Sequence, residues 1–144
     1  MKKEAPRLAL SGVRKNEIVI IAGGKIGPIE DWIEKVLKNG TNDNIRLFYG
    51  ANSRKDLNGY RNVKYMAELS DSFDMVTALN SSDPNWQGEV GLITDVVRER
   101  LDPEKVSQCF LYGTTVMIEE TKRTLTDIGI SEEKIHHESY GRTY

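Results

Sequence analysis

The chain has 144 residues, 38% hydrophobic and 29% charged, which suits one ordinary domain with enough apolar residues for a core. Its formal net charge is −2 with both signs mixed along the chain, which argues against a nucleic-acid-binding protein, and no apolar run is long enough to span a bilayer. Cys109 is the only cysteine, which excludes an intrachain disulfide or cysteine-based zinc site and, together with a start that lacks an apolar signal stretch, favours a reducing cytoplasm.

The first half of the chain alternates strands with helices. Residues 17–21 are nearly all apolar, as in a strand that is covered on both faces. A helix is predicted from about Gly27-Pro28, where proline suits the first turn, to Asn39-Gly40. There follow a second strand at 45–49, a weak helical pattern at about 55–69 and a third strand at 73–79.

The second half repeats the alternation after a polar loop at 80–88. The next helix carries an apolar face between Leu92 and Leu101. Asp102-Pro103 then opens a short turn, with the aspartate as its cap. The fourth and fifth strands are predicted, with a helix between them, at 108–112 and 134–138.

This alternation predicts an α/β fold of three layers, with a parallel five-stranded sheet and helices on both faces, because right-handed crossovers place them there. Residues 17–144 are assigned to one domain and residues 1–16 to an N-terminal segment. Ligands of such sheets bind at the carboxyl ends of the strands. The candidate loops are therefore Ala22–Pro28, Gly50–Arg54 and Gly113–Met117.

Two of these loops place glycine between a strand and a helix. Gly23 and Gly24 follow a buried strand, where glycine lets a phosphate approach the backbone and the helix amides favour an anion. Lys25 would add a positive charge at the same place. The alternative is a tight turn that needs glycine only for its geometry. In Gly113-Thr114-Thr115, the threonines either cap the next helix or contact a ligand.

Several rings allow more than one interpretation. Tyr49 and Tyr112 end strands, and either flank a planar ligand or lie half-buried in the core. Trp86 lies in a polar loop and either folds back on its own domain or contacts a second domain. His136 and His137 are adjacent and would face opposite sides of a strand, so they cannot form one metal site. No metal is predicted.

Five segments follow one another in an order that is typical of a known family. They are Ile-Ile-Ala-Gly-Gly-Lys-Ile-Gly-Pro-Ile (20–29), Leu-Phe-Tyr-Gly-Ala-Asn-Ser-Arg-Lys-Asp-Leu (47–57), Trp-Gln-Gly with Gly-Leu-Ile-Thr-Asp (86–95), Leu-Tyr-Gly-Thr-Thr-Val-Met-Ile (111–118) and Leu125 through Ile-His-His-Glu-Ser-Tyr-Gly (125–141). Together they resemble the NAD(P)H-binding domain of the ferredoxin–NADP reductase superfamily, whose fold is Rossmann-like.

The resemblance implies that NADH or NADPH passes hydride to FAD or FMN on another domain or subunit, which then reduces a redox acceptor protein. It implies a pyrophosphate site at Gly23, Gly24 and Lys25 and an adenosine site near Asn52, Ser53 and Arg54. The nicotinamide would lie beside Tyr112, Gly113, Thr114 and Thr115, with Glu138 and Tyr140 near the flavin edge. Further cofactor-binding candidates are Pro28, Tyr49, Gly50 and Met117. Tyr112 and Glu138 are the catalytic candidates.

The departures from the family pattern shape these expectations. The first loop is one residue short and lacks a glycine, Tyr112 replaces a cysteine, and Thr114-Thr115 replaces two prolines. Ser81-Ser82 stands where NADPH-specific members often carry Ser-Arg, which favours NADH. The family holds its flavin on an N-terminal β-barrel, so residues 1–16 are interpreted as the remnant of a flavin-domain linker, and a flavin-binding domain or subunit is the expected partner.

Two further hypotheses stand beside this one. The altered first loop, Tyr112 and the missing prolines also suit a degenerate domain that acts as a structural or regulatory partner without binding a nucleotide. A different nucleotide ligand on the same fold is the third, because fold alone does not decide function. Under the first hypothesis the domain alone has little or no turnover, since the two cofactors carry the hydride chemistry.

Overall fold

A parallel sheet organises the protein, seen in a computed structural model that describes residues 16–141 except residues 25 and 58, and only the backbone at residues 140 and 141. Its strand order is β4-β3-β2-β1-β5-β6. The strands are β1 (Glu17–Gly23), β2 (Asn44–Ala51), β3 (Phe73–Leu79), β4 (Glu89–Val90), β5 (Val106–Thr114) and β6 (Ile135–Gly141). The expected roles of Lys25 and of the Tyr140 side chain, and the linker hypothesis for residues 1–15, fall outside the described residues.

Four α-helices connect the strands, and two pack on each face. They are α1 (Gly27–Asn39), α2 (Tyr60–Leu69), α3 (Ile93–Arg100) and α4 (Thr115–Asp127). On one face α1 and α2 bury Ile33 and Val63 against β1 and β2. On the other, α3 and α4 bury Val97 and Leu125 against β1 and β5. The predicted three-layer α/β fold is confirmed.

The sheet has six strands, so the predicted count of five was wrong. The missed strand, Glu89–Val90, has two residues and pairs in parallel with the end of β3. It lies just beyond the polar loop at 80–88, and two residues are too few to show the period of a strand. An edge strand this short contributes little to the core and does not change the order of the other five strands.

The second helix also differs from its prediction. Residues 54–56 form a separate 3₁₀ turn, and α2 begins only at Tyr60. Gly59 precedes it with a φ of +84°, a left-handed conformation that interrupts a right-handed helix. This break frees the residues after β2 to lie along the carboxyl edge of the sheet.

Strand β1 lies in the interior of the sheet and pairs with β2 on one side and β5 on the other. The direction in which successive strands are added across the sheet reverses at this point. The first crossovers run outward through β2 and β3, and the later ones return to β5 and β6. Adjacent strands on either side of such a switch point send their connections to opposite faces, which opens a crevice at their carboxyl ends. Within the described residues, no helix has the length and apolar character needed to cross a membrane.

Candidate dinucleotide-binding cleft

An open cleft of about 720 Å³ lies at the carboxyl ends of β1, β2 and β5, on the side of α3 and α4. Its volume is within the range of small-molecule sites. Six of the residues proposed from sequence meet there or line its floor. They are Gly23, Gly24, Gly50, Asn52, Thr114 and Met117. The parallel sheet thus brings together residues that are separated by up to 94 positions in the chain.

Close packing explains three glycines at this edge. A Cβ on Gly50 would lie 2.8 Å from the Cβ of Ile93, and a Cβ on Gly113 would lie 2.4 Å from the sulfur of Met117. A Cβ on Gly23 would lie 3.0 Å from the same sulfur. The missing side chains therefore let the first turns of α3 and α4 settle onto the strand ends, which forms the floor of the cleft.

Position 24 requires glycine for a different reason. Its φ is +74°, a left-handed conformation that L side chains rarely adopt. The hydroxyl of Tyr49 donates a hydrogen bond of 2.5 Å to the Gly24 carbonyl, and Tyr49 itself is fully buried. The interpretation of Tyr49 as a core residue is thus confirmed, and from the core it fixes the loop that borders the cleft.

The two helices that begin at this edge differ at their N-termini. Thr114 caps α4, because its hydroxyl accepts a hydrogen bond of 3.2 Å from the amide of Met117. Thr115 instead lies 3.4 Å from the hydroxyl of Ser139. In α1, which begins at Gly27-Pro28, no side-chain cap is seen among the described residues. An uncapped helix N-terminus leaves backbone amides that suit an anion, although Pro28 in the first turn contributes no N–H.

A second groove, about 430 Å³ in volume, lies across the same sheet edge on the side of α1. Tyr112 and Glu138 line it together with Pro28. Successive side chains of a strand point to opposite faces, so Tyr112 faces this groove while Gly113 faces Met117 of α4. Tyr112 has only 9% of its surface exposed, so most of its ring lies in the core while it also lines the groove. The catalytic candidates therefore lie together, but on the other face of the sheet from the cleft.

Two further candidates from the loop after β2 are engaged by neighbouring side chains. The hydroxyl of Ser53 donates to Asp56 over 3.0 Å. Arg54 lies in a third depression beside Trp86, and its Nε is 2.6 Å from a carboxylate oxygen of Asp83. The structure does not bring Arg54 into the cleft.

Sequence reasoning missed several cleft residues that carry charge or amide groups. Asp56, Asn80 and Glu120 line the cleft. The amide of Asn80 donates to the side-chain oxygen of Asn52 over 2.8 Å, which joins the ends of β3 and β2. Asn80 directly follows a strand, a position that the parallel topology alone marks as part of the edge. Among the lining residues that are described, two are carboxylates and none is lysine or arginine.

Trp86 folds back on its own domain. Its indole N–H donates a hydrogen bond of 2.8 Å to the Glu89 carbonyl, and its ring packs at a tilt on Tyr60 with centroids 5.6 Å apart. These contacts are the local ones that the sequence allowed, and contact with a second domain stays a prediction. Trp86 thereby anchors the loop between β3 and β4.

Comparison with known proteins identifies the family. The sequence model of the oxidoreductase NAD-binding domain matches residues 19–123. One of the subunits of the Na⁺-translocating NADH-quinone reductase of Idiomarina loihiensis is 29% identical over 87% of this chain and 33% of its own length. The reductase component DmpP of phenol 2-monooxygenase from a Pseudomonas species is 30% identical over 86% of this chain and 36% of its own length. The chain thus spans about a third of these relatives.

Solved structures share the fold. A ferredoxin NADP⁺ reductase from Neisseria gonorrhoeae with bound FAD and NADP superposes with a TM-score of 0.72 and 19% identity, over 88% of this chain and 56% of that one. The Amycolatopsis cytochrome P450 reductase GcoB superposes with a TM-score of 0.74 and 23% identity, over 87% of this chain and 38% of that one. The resemblance seen in the sequence is confirmed, and the chain belongs to the family of oxidoreductase NAD-binding domains.

Proposed function

We propose that this domain binds NADH in the cleft and positions it for hydride transfer to FAD or FMN on another domain or subunit. The observation that carries the proposal is the cleft itself, open at the switch point of the sheet in a chain of the NAD-binding family. The two reductase relatives are about three times as long. Their remaining length supports a flavin-binding partner, with a redox acceptor protein beyond it.

The residues present fit a dinucleotide. The backbone at Gly24 turns sharply beside the cleft, and the uncapped start of α1 follows it, which suits a pyrophosphate. Asn52 and Asn80 present amide groups at the far end, with Asp56 beside them, and these groups suit the hydroxyls of a ribose. We call this the adenosine end of the cleft.

The catalytic role of the chain is orientation. When bound, the nicotinamide supplies hydride and the flavin of the partner accepts it. Gly23 and Gly24 border the cleft, while Pro28, Tyr112 and Glu138 line the groove across the same edge. A dinucleotide that crosses this edge would have its nicotinamide end beside Tyr112. There the buried ring would limit how deep the nicotinamide sits, and Glu138 would face the partner.

NADH is preferred in this proposal because the described cleft lining contains Asp56 and Glu120 and no basic side chain. A 2′-phosphate would bring about two more negative charges near these carboxylates. The proposed setting is the cytoplasm, which suits a chain whose single cysteine is buried.

Calorimetric titration of the purified chain with NADH and NADPH tests the proposal. Gly24→Ala should weaken NADH binding because it disturbs the loop that borders the cleft. Gly129→Ala is the matched control, since Gly129 also has a positive φ (+107°) but lies at the end of α4, with open space around its Cβ position. Loss of binding in the first variant alone supports the proposal. Absence of saturable binding to either nucleotide would contradict it.

The acidic lining also favours a second candidate function. Two carboxylates, with no cation among the described lining residues, would repel a pyrophosphate that came close to them. A domain that has lost nucleotide binding and serves as a structural or regulatory partner would account for them. That outcome would appear in the same titration, as a folded protein that binds neither dinucleotide.

A further inference from the structure

We infer that the ion pair between Arg54 and Asp83 determines the nucleotide specificity of the cleft, by holding the arginine away from the place where a 2′-phosphate would lie. The inference rests on the proposed function. It concerns the adenosine end of the cleft, where the loops after β2 and β3 meet beside Asn52 and Asn80.

Arg54 is within reach of the adenosine end but turned away from it. It follows Asn52 by two residues, a backbone span of at most about 7 Å, and it begins the 3₁₀ turn that ends at Asp56. Residues two apart in a 3₁₀ turn are about 240° apart around its axis. Asp56 accordingly lines the cleft, whereas Arg54 lines the depression beside Trp86.

Asp83 is held in place by its own loop. One carboxylate oxygen accepts a hydrogen bond of 2.9 Å from the backbone amide of Asn85, and the Asp83 carbonyl accepts one of 2.9 Å from the amide of Trp86. The loop is also tied to the end of β2, because the amide of Ser81 donates to the Asn52 carbonyl over 3.1 Å. The other carboxylate oxygen of Asp83 is therefore fixed where Arg54 meets it.

The Asp83 carboxyl of this pair is ionised at neutral pH. The hydrogen bond from Arg54 lowers the pKa of the Asp83 carboxyl, and the hydrogen bond from the Asn85 amide lowers it further. The guanidinium thus keeps an anionic partner at neutral pH, which offsets its positive charge toward a ligand. At the adenosine end the ligand instead meets the carboxylate of Asp56, which disfavours a second phosphate.

The test is a set of calorimetric titrations of the full chain with NADH and with NADPH at one ionic strength. Asp83→Asn removes the negative charge but keeps a side-chain oxygen for the Asn85 amide. Asp83→Ser offers a hydroxyl oxygen to the Asn85 amide and serves as the second variant if the first does not fold. Freed from its partner, Arg54 should raise NADPH affinity about threefold to fivefold, the most that an exposed ion pair can withhold, while NADH affinity changes less than about twofold. Adding Arg54→Gln to Asp83→Asn should abolish the gain.

The outcomes separate this inference from the function on which it rests. NADH binding with no gain in NADPH affinity in the Asp83 variants would overturn the inference and leave the proposed function standing. A gain that persists after Arg54→Gln would also overturn it, because another group would then bind the phosphate. If neither nucleotide binds any variant, both proposals fail. The expected gain should also shrink steeply with added salt, as it depends on an exposed charge.

Discussion

Replacing Gly113 with alanine should displace Met117 and destabilise the protein. The new Cβ would lie 2.4 Å from the Met117 sulfur, more than 1 Å inside an ordinary contact of about 3.5–4.0 Å. Gly113 belongs to β5, which is paired with β1 and β6 on its two sides. Because the strand is held by both ladders, the methionine side chain must move instead.

Forcing extra volume into such a packed place typically costs about 1–3 kcal/mol. The flexible, partly buried thioether puts Gly113→Ala at the lower end of that range, at about 1 kcal/mol of unfolding free energy. Met117→Ala alone should cost about 2 kcal/mol, the lower end for a buried methionine, because Met117 is only partly buried. Urea unfolding followed by circular dichroism measures both values. The dependence of the unfolding free energy on urea concentration should be the same in all variants, which is the control for two-state behaviour.

The double variant distinguishes this contact from a general effect of alanine in a strand. Without the sulfur, the nearest atom of residue 117 is its Cβ, at 3.7 Å from the new methyl group. The Gly113→Ala/Met117→Ala protein should therefore be more stable than the sum of the single changes predicts, by about 0.5–1 kcal/mol. Additive single effects would refute the packing explanation of Gly113.

Three other measurements probe the edge of the sheet and the core. Tyr49→Phe removes the hydrogen bond to the Gly24 carbonyl and should cost about 1–2 kcal/mol in unfolding free energy, whereas Tyr65→Phe, at a residue that is 59% exposed, should cost almost nothing. Thr114→Ala removes the cap of α4 and should cost about 1 kcal/mol, more than Thr115→Ala; equal losses would contradict the cap assignment. Cys109 is buried, and burial raises its pKa to about 12, so it should react with a disulfide reagent at pH 8 only after unfolding. The same raised pKa means that stability should fall as the pH rises above the usual thiol value, where the unfolded thiol ionises first.

The fold was predictable because buried parallel strands are short apolar runs bounded by turn residues. Strand β3 was predicted with both ends correct, at 73–79. The predictions failed where tertiary context decides. Two residues of β4 gain their strand character only by pairing with β3, and the start of α2 depends on the left-handed backbone of Gly59.

The candidate site was predictable in its position and less so in its contacts. Topology alone places the ends of β1, β2 and β5 at one edge. The prediction grouped Tyr112 with Thr114, but the structure places them in separate depressions, because side chains alternate along β5. The ion pair of Arg54 joins residues 29 positions apart across two loops, and no local pattern indicates it. Glu120 reaches the cleft from the second turn of α4, a position that sequence reasoning had not considered.

Glycine at the end of a buried strand is an ambiguous sign of a nucleotide site. At Gly23, Gly50 and Gly113 the absent Cβ makes room for side chains of the protein itself, Met117 and Ile93. A substitution at any of these three would alter binding through the displacement of those side chains. Gly24 differs, since its left-handed backbone shapes the loop that borders the cleft. Its substitution, compared with that of Gly129, therefore tests nucleotide binding more directly than a change at any of the other three.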